Sequence, residues 1–203
     1  AFKRVIIRRV GPLSWLLGLM SNKIAKWEKW IDLICHDCGN VMLSRDMFID
    51  LHKMIEKNPK MQQGDYFHDY MRDTYVAHVL MMIRKHLKTD SNSISLKALV
   101  RDILENSNQI EGFTSPTELQ ARLSNFENCA KKVEAFADRV IAHRDKREPS
   151  YTPTFNDVND AIDAMDRLCI LCATIIKGEN MATCKPTVQY GWLNIFRDMG
   201  IET

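Results

Sequence analysis

Apolar residues recur at steps of three and four along most of the chain, the period of a helix with one buried face. Between residues 23 and 56 the stripe runs through Ile24, Trp27, Ile31, Ile34, Cys35, Cys38, Val41 and Met42, then Phe48, Leu51, Met54 and Ile55. Gly39-Asn40 offers a place for this first helix to bend, and Asn58-Pro59 ends it, because the residue before a proline is driven out of the helical region. After a polar loop at Gly64, Asp65 can cap a second helix over 66–87. Its apolar residues (Phe67, Tyr70, Met71, Tyr75, Val79, Met82 and Ile83) lie on most sides, so a central, buried helix is expected.

Three turns of helix are predicted over 95–104, with Ser93 or Ser95 as the cap. Ser115-Pro116-Thr117-Glu118 then combines a capping box with proline at the first helical position. The helix it opens carries Leu119, Leu123, Phe126, Ala130, Val133, Phe136, Val140 and Ile141 and reaches residue 146, giving about 30 residues or about 45 Å. It is the longest helix predicted. Thr154 to Asp157 starts another, through Val158, Ile162, Met165, Leu168, Leu171 and Ile175 to Gly178, with Asp157, Asp160, Asp163 and Asp166 on one outer face. Residues 190–199 suit a short terminal helix.

Strand-like alternation, a Gly-rich phosphate loop and internal repeats are all missing, which removes dinucleotide-binding, P-loop and solenoid readings. The expected fold is all-α, an antiparallel bundle of four or five main helices. Residues 20–203 are read as one domain, and 203 residues can bury a core without staples. The first ten residues are basic and free of acid, followed by a mostly apolar run over 13–20. Three readings of residues 1–19 compete: a membrane- or partner-binding segment, a transit peptide, or an extension upstream of a natural start at Met20. The last is favoured, with Ser21 or Asn22 capping the helix that follows. No apolar run approaches the roughly 20 residues of a membrane span.

Six cysteines without a cleavable secretory signal point to reduced thiols and a cytoplasmic protein. Cys35/Cys38 and Cys169/Cys172 have the spacing of zinc ligand pairs, but Cys169 and Cys172 sit in Leu-Cys-Ile-Leu-Cys-Ala-Thr-Ile-Ile and neither pair lies in a Gly-rich knuckle. Buried core thiols are the expectation; no metal site and no cofactor is predicted.

The net charge of +2 is too small to make the whole chain a nucleic-acid binder, so any such footprint must be local. One stretch qualifies. At the end of the long helix, residues 138–147 hold Asp138, Arg139, His143, Arg144, Asp145, Lys146 and Arg147. Arg139 and His143 are four apart, and Lys146 or Arg147 continues that stripe, so imidazole and guanidinium share a face with Asp138 beside it. An imidazole there can move a proton in phosphodiester cleavage, and arginine can hold the phosphate. The same cations equally complement the negative end of a helix dipole. His36, His52, His68, His78 and His86 are scattered and form no local ligand set.

The Ala-His-Arg-Asp-Lys run at 142–146, together with Ser93-Ile94-Ser95-Leu96-Lys97-Ala98-Leu99 after a helix with a central aromatic patch, resembles the HEPN (higher eukaryote and prokaryote nucleotide-binding) superfamily. More narrowly it resembles its AbiU-type abortive-infection branch. The resemblance implies a helical homodimer in which two motifs face each other, often a metal-independent endoribonuclease of phage-defence or toxin–antitoxin systems. His143, Arg139 and Asp138 would then be catalytic, and Arg144, Lys146 and Arg147 would bind RNA phosphates. The superfamily motif has an arginine and a polar residue upstream of the histidine, where this chain has Ala137 and Asp138. Arg139 or Arg144 substitutes, or the domain is a non-catalytic module that binds RNA, a nucleotide or a toxin or antitoxin partner. An adaptor without a polynucleotide ligand is the third reading.

Overall fold

The helix that ends at Gly178, α5 (Phe155–Lys177), buries residues on nearly every turn, among them Val158, Ile162, Met165, Leu168 and Cys172. Such a helix needs cover on more than one side. It comes from α1 (Pro12–Lys57) and α4 (Pro116–Phe136), which both pack along α5. Between them α2 (Tyr66–Leu87) touches α1 and α4, and α3 (Leu96–Glu105) packs on α4, α2 and α1. The short α6 (Asn194–Asp198) follows a stretch without regular structure. The computed structural model describes residues 12–64, 66–107, 110, 115–142, 151–188 and 191–203, with side chains from residue 23 onward. Among these there is no strand, and the all-α bundle expected from the periodicity is what forms.

Local signals set most boundaries. Ser95 caps α3: its Oγ accepts the Ala98 N–H at 3.1 Å and donates to the Lys88 carbonyl, which ties the start of α3 to the end of α2. Thr154 and Asp157 close a reciprocal capping box at α5, and Gly178 ends that helix at φ 68°, a left-handed conformation open to glycine. At α4 proline takes the first position as predicted, but the Ser115 side chain caps no backbone N–H and instead lies 3.5 Å from Glu118 Oε2.

Four expectations change. α1 starts at Pro12, so Ser21 and Asn22 lie inside it and do not cap it, and it runs through Gly39-Asn40 without interruption. With 46 residues it, and not α4, is the longest helix: α4 keeps α-helical pairing for 21 residues and passes into a π-helical turn, Ala137–Ala142. Only the second half of α2 is buried, since Tyr66, Phe67 and Tyr70 are exposed. Asp166, expected outside, is buried. The Asp65 cap lies outside the described residues.

Polar groups fix the pairings that the apolar stripes permit. Asp102 of α3 accepts from Trp27 Nε1 at 2.9 Å and pairs with Lys23 and Lys26 at 3.2 Å, all on α1. Burial raises the Asp102 carboxyl, but these three donors outweigh it and hold the group below its ordinary range. On α2, the sealed His86 accepts the Leu96 N–H at Nδ1 and turns Nε2 toward Asp37 of α1, 3.4 Å away. Burial keeps its ring neutral against the pull of that carboxylate.

Gly39 makes room for another part of the chain. The irregular strap after α5 crosses α1 there, and a Cβ on Gly39 would stand 2.7 Å from the Cys184 carbonyl oxygen and 3.1 Å from Pro186 Cδ. The strap is pinned by Asp166, which accepts the Cys184 N–H at 2.7 Å and the Thr183 hydroxyl at 3.0 Å, and by an ion pair between Lys185 and Asp46. Gly39→Ala should therefore lower stability by about 1–2 kcal/mol, because displaced backbone outweighs the better helix propensity of alanine. The check is urea unfolding beside Gly64→Ala, where the added Cβ meets nothing within 4 Å and no loss is expected.

Candidate functional site

The polar run singled out in the sequence begins where α4 changes its pairing. In the π-helical turn Ala137–Ala142, backbone bonds reach five residues back instead of four, a widening that often marks functional positions. Ala137 is sealed in the core, and Phe136 and Ile141 pack against its edge. Asp138 and Arg139 are half-buried and Val140 is exposed, so this turn is anchored on one side and open on the other.

Asp138 is held by α2. Its carboxylate receives Arg84 Nε and, at 3.0 Å, Lys88 Nζ, while the same ammonium reaches Glu134 of α4 at 2.8 Å. Burial would raise the Asp138 carboxyl, but the guanidinium and ammonium beside it win and hold it below its ordinary range. Lys88 is raised in turn, chiefly by Glu134, against the opposing effect of burial. The cluster thus balances two cations with two anions and locks the π turn to the last turn of α2.

Arg139 is different. Among the described residues it has no ion-pair or hydrogen-bond partner. Among the predicted site residues, then, Asp138 and Arg139 are placed side by side at the wide turn, one engaged and one not. His143, Arg144, Lys146 and Arg147 lie outside the described residues. Arg84 and Lys88 were not anticipated. Their signal was present, since the last turn of α2 and the residue beyond it carry Arg84, Lys85, His86 and Lys88, but the sequence does not say which helix faces the 138 position.

Beside the turn, Phe136 lines a cavity of about 380 Å³ with Tyr75, Val76, Leu80, Pro153, Phe155 and Val158. Thr152 and Thr154 also line it, but its walls are mostly apolar, so this space suits a hydrophobic group.

The ion cluster carries its own pH signature. A carboxyl whose folded value is depressed contributes stability above its ordinary 3.8, and that contribution is lost as pH falls through the lower folded value. Asp138→Asn should thus cost under about 1 kcal/mol at pH 7, as expected for a partly exposed network. The deficit should vanish in acid below the ordinary carboxylate range. Urea midpoints of variant and wild type across pH test this, and an unchanged deficit at low pH would show that packing and not charge is at stake.

The arrangement is a helical bundle in which Arg139, without a partner among the described residues, sits at a wide turn ahead of an Ala-His-Arg-Asp run in the sequence. The family model HEPN_AbiU2, described as AbiU2, matches residues 24–186, from the first described turns of α1 that carry side chains to the strap beyond Cys184. No curated protein and no solved structure matches the chain. No helix among the described residues is long and apolar enough to cross a membrane. Fold, motif and a match over most of the length agree: the chain belongs to the HEPN AbiU2 family.

Proposed function

We propose that this protein acts on RNA in the cytoplasm as an effector of abortive infection or of a toxin–antitoxin pair, as a homodimer whose two motif ends form one cleft. The observation that carries the reading is Arg139: a half-buried residue without a partner among the described residues, at the wide turn and four positions before His143 in the sequence. Buried cations are normally paired, so one left unpaired at the edge of an anchored turn suits an anionic ligand such as a phosphodiester. In this reading His143 is the general acid and base that moves the proton between the attacking 2′-hydroxyl and the leaving oxygen. Arg139 and Arg144 hold the phosphate, with Lys146 and Arg147 along the strand. Asp138 acts indirectly: paired with Arg84 and Lys88, it fixes the turn that presents Arg139. No step needs a metal ion.

A second reading has its own observation. Where the superfamily motif sets its arginine, this chain has Ala137, and that residue is fully enclosed in the core. A site with its arginine position filled by a core alanine would bind RNA, or a toxin or antitoxin partner, without cutting.

The two readings separate in one experiment. Purified protein incubated with structured RNA in EDTA should cleave it, with His143→Ala lowering the rate by about 10²–10⁴-fold and Arg139→Ala by about 10²–10³-fold. Undiminished cleavage by His143→Ala would remove the imidazole from the mechanism. Binding that weakens steeply with salt and with Arg144→Ala, but without turnover, would favour the binding module.

A further inference from the structure

Four of the six cysteines, predicted to be independent core thiols, converge from three separate parts of the chain. Cys35 and Cys38 project from adjacent turns of α1, Cys169 comes from α5, and Cys184 comes from the strap. The sulfurs of Cys35, Cys169 and Cys184 all lie within 4.8 Å of one another, and Cys38, Cys184 and a carboxylate oxygen of Asp166 form a second such group. Cys38 and Cys169 are fully enclosed, Cys184 nearly so, and Cys35 is half-buried, so the cluster sits just below the surface where the strap covers it.

We propose that Cys35, Cys38, Cys169 and Cys184 bind a structural zinc ion that fastens the strap to α1 and α5. Tetrahedral zinc with bonds of about 2.3 Å sets its four sulfurs roughly 3.8 Å apart. Cys35, Cys169 and Cys184 already lie close to that spacing, and Cys38, within 4.8 Å of Cys184, has to move toward the other two to complete the set. Binding converts four thiols to thiolates and releases their protons to solvent, with no change of oxidation state. Because all four positions are thiolates, the site is closed and its role is structural.

Two features beyond sulfur proximity support this. The strap has no helix or strand of its own, yet it is delivered accurately: Gly39 makes room for the Cys184 carbonyl, and Asp166 accepts the N–H of Cys184 and the hydroxyl of Thr183. Asp166 is then a positioning residue that orients a ligand from behind, as outer partners at zinc sites do. Cys172 is buried by α5 packing and lies outside both groups, and Cys129 is elsewhere on α4.

Full-length protein purified without chelator should contain one zinc per chain by elemental analysis. When the reduced, metal-stripped chain is titrated with Co²⁺, thiolate-to-cobalt charge-transfer and tetrahedral d–d bands should appear and saturate at one equivalent, and zinc should displace them. Cys38→Ser and Cys184→Ser should lose the bound metal while Cys129→Ser keeps it. The wild-type cobalt spectrum needs no variant to fold. A chain that comes out metal-free and gives no such bands overturns the proposal. So does metal retained in Cys184→Ser or lost in Cys129→Ser, and so does a disulfide among these four cysteines in the protein as isolated. None of these readouts depends on RNA cleavage.

Discussion

Burial of α5 is the constraint from which the rest of the architecture follows. Its buried residues recur too often to be covered by one neighbour, so α1 and α4 must both lie along it. Once those two are fixed, the remaining gap is closed by the buried half of α2 and by α3, whose strongly one-sided stripe of Leu96, Leu99, Val100 and Ile103 has to face inward. Apolar burial of this kind is large but non-directional. The specific pairings come from polar groups at the seams, namely Asp102 against Trp27, His86 between Leu96 and Asp37, and Asp138 against Arg84 and Lys88.

That division of labour shapes the candidate site. Ala137 sinks into the core and gives the π turn its anchor, while the Asp138 ion pairs fix its orientation to α2. An arginine in place of Ala137 would have to be buried without a carboxylate of its own, because Asp138 and Glu134 are already occupied by α2 cations. The chain has a small apolar residue at that inward position, and the neighbouring Arg139 is half-buried.

The thiol cluster occupies a different part of the same frame. It joins α1 and α5, the pair whose contact the core depends on, to the strap that follows α5. Asp166 is drawn inward for that reason: it leaves the acidic face of α5 to hold the backbone that carries Cys184. A zinc clamp would add direction to a seam that apolar contacts leave unspecified.

The all-α class, the α2 bounds, the Ser95 and Gly178 caps and the inward stripes of α3 and α5 were legible in the sequence, because each depends on residues within a few turns of one another. The polar run after Phe136 was legible for the same reason. The tertiary structure decided the rest. That Arg84 and Lys88 meet Asp138 depends on which face α2 turns to α4, and that Gly39 gives passage to another segment depends on a strap some 145 residues later. The cysteines make the point most directly. The apolar setting of Cys169 correctly implied burial, but the meeting of Cys35, Cys38, Cys169 and Cys184 is a property of packing between distant segments, and local spacing carries no record of it.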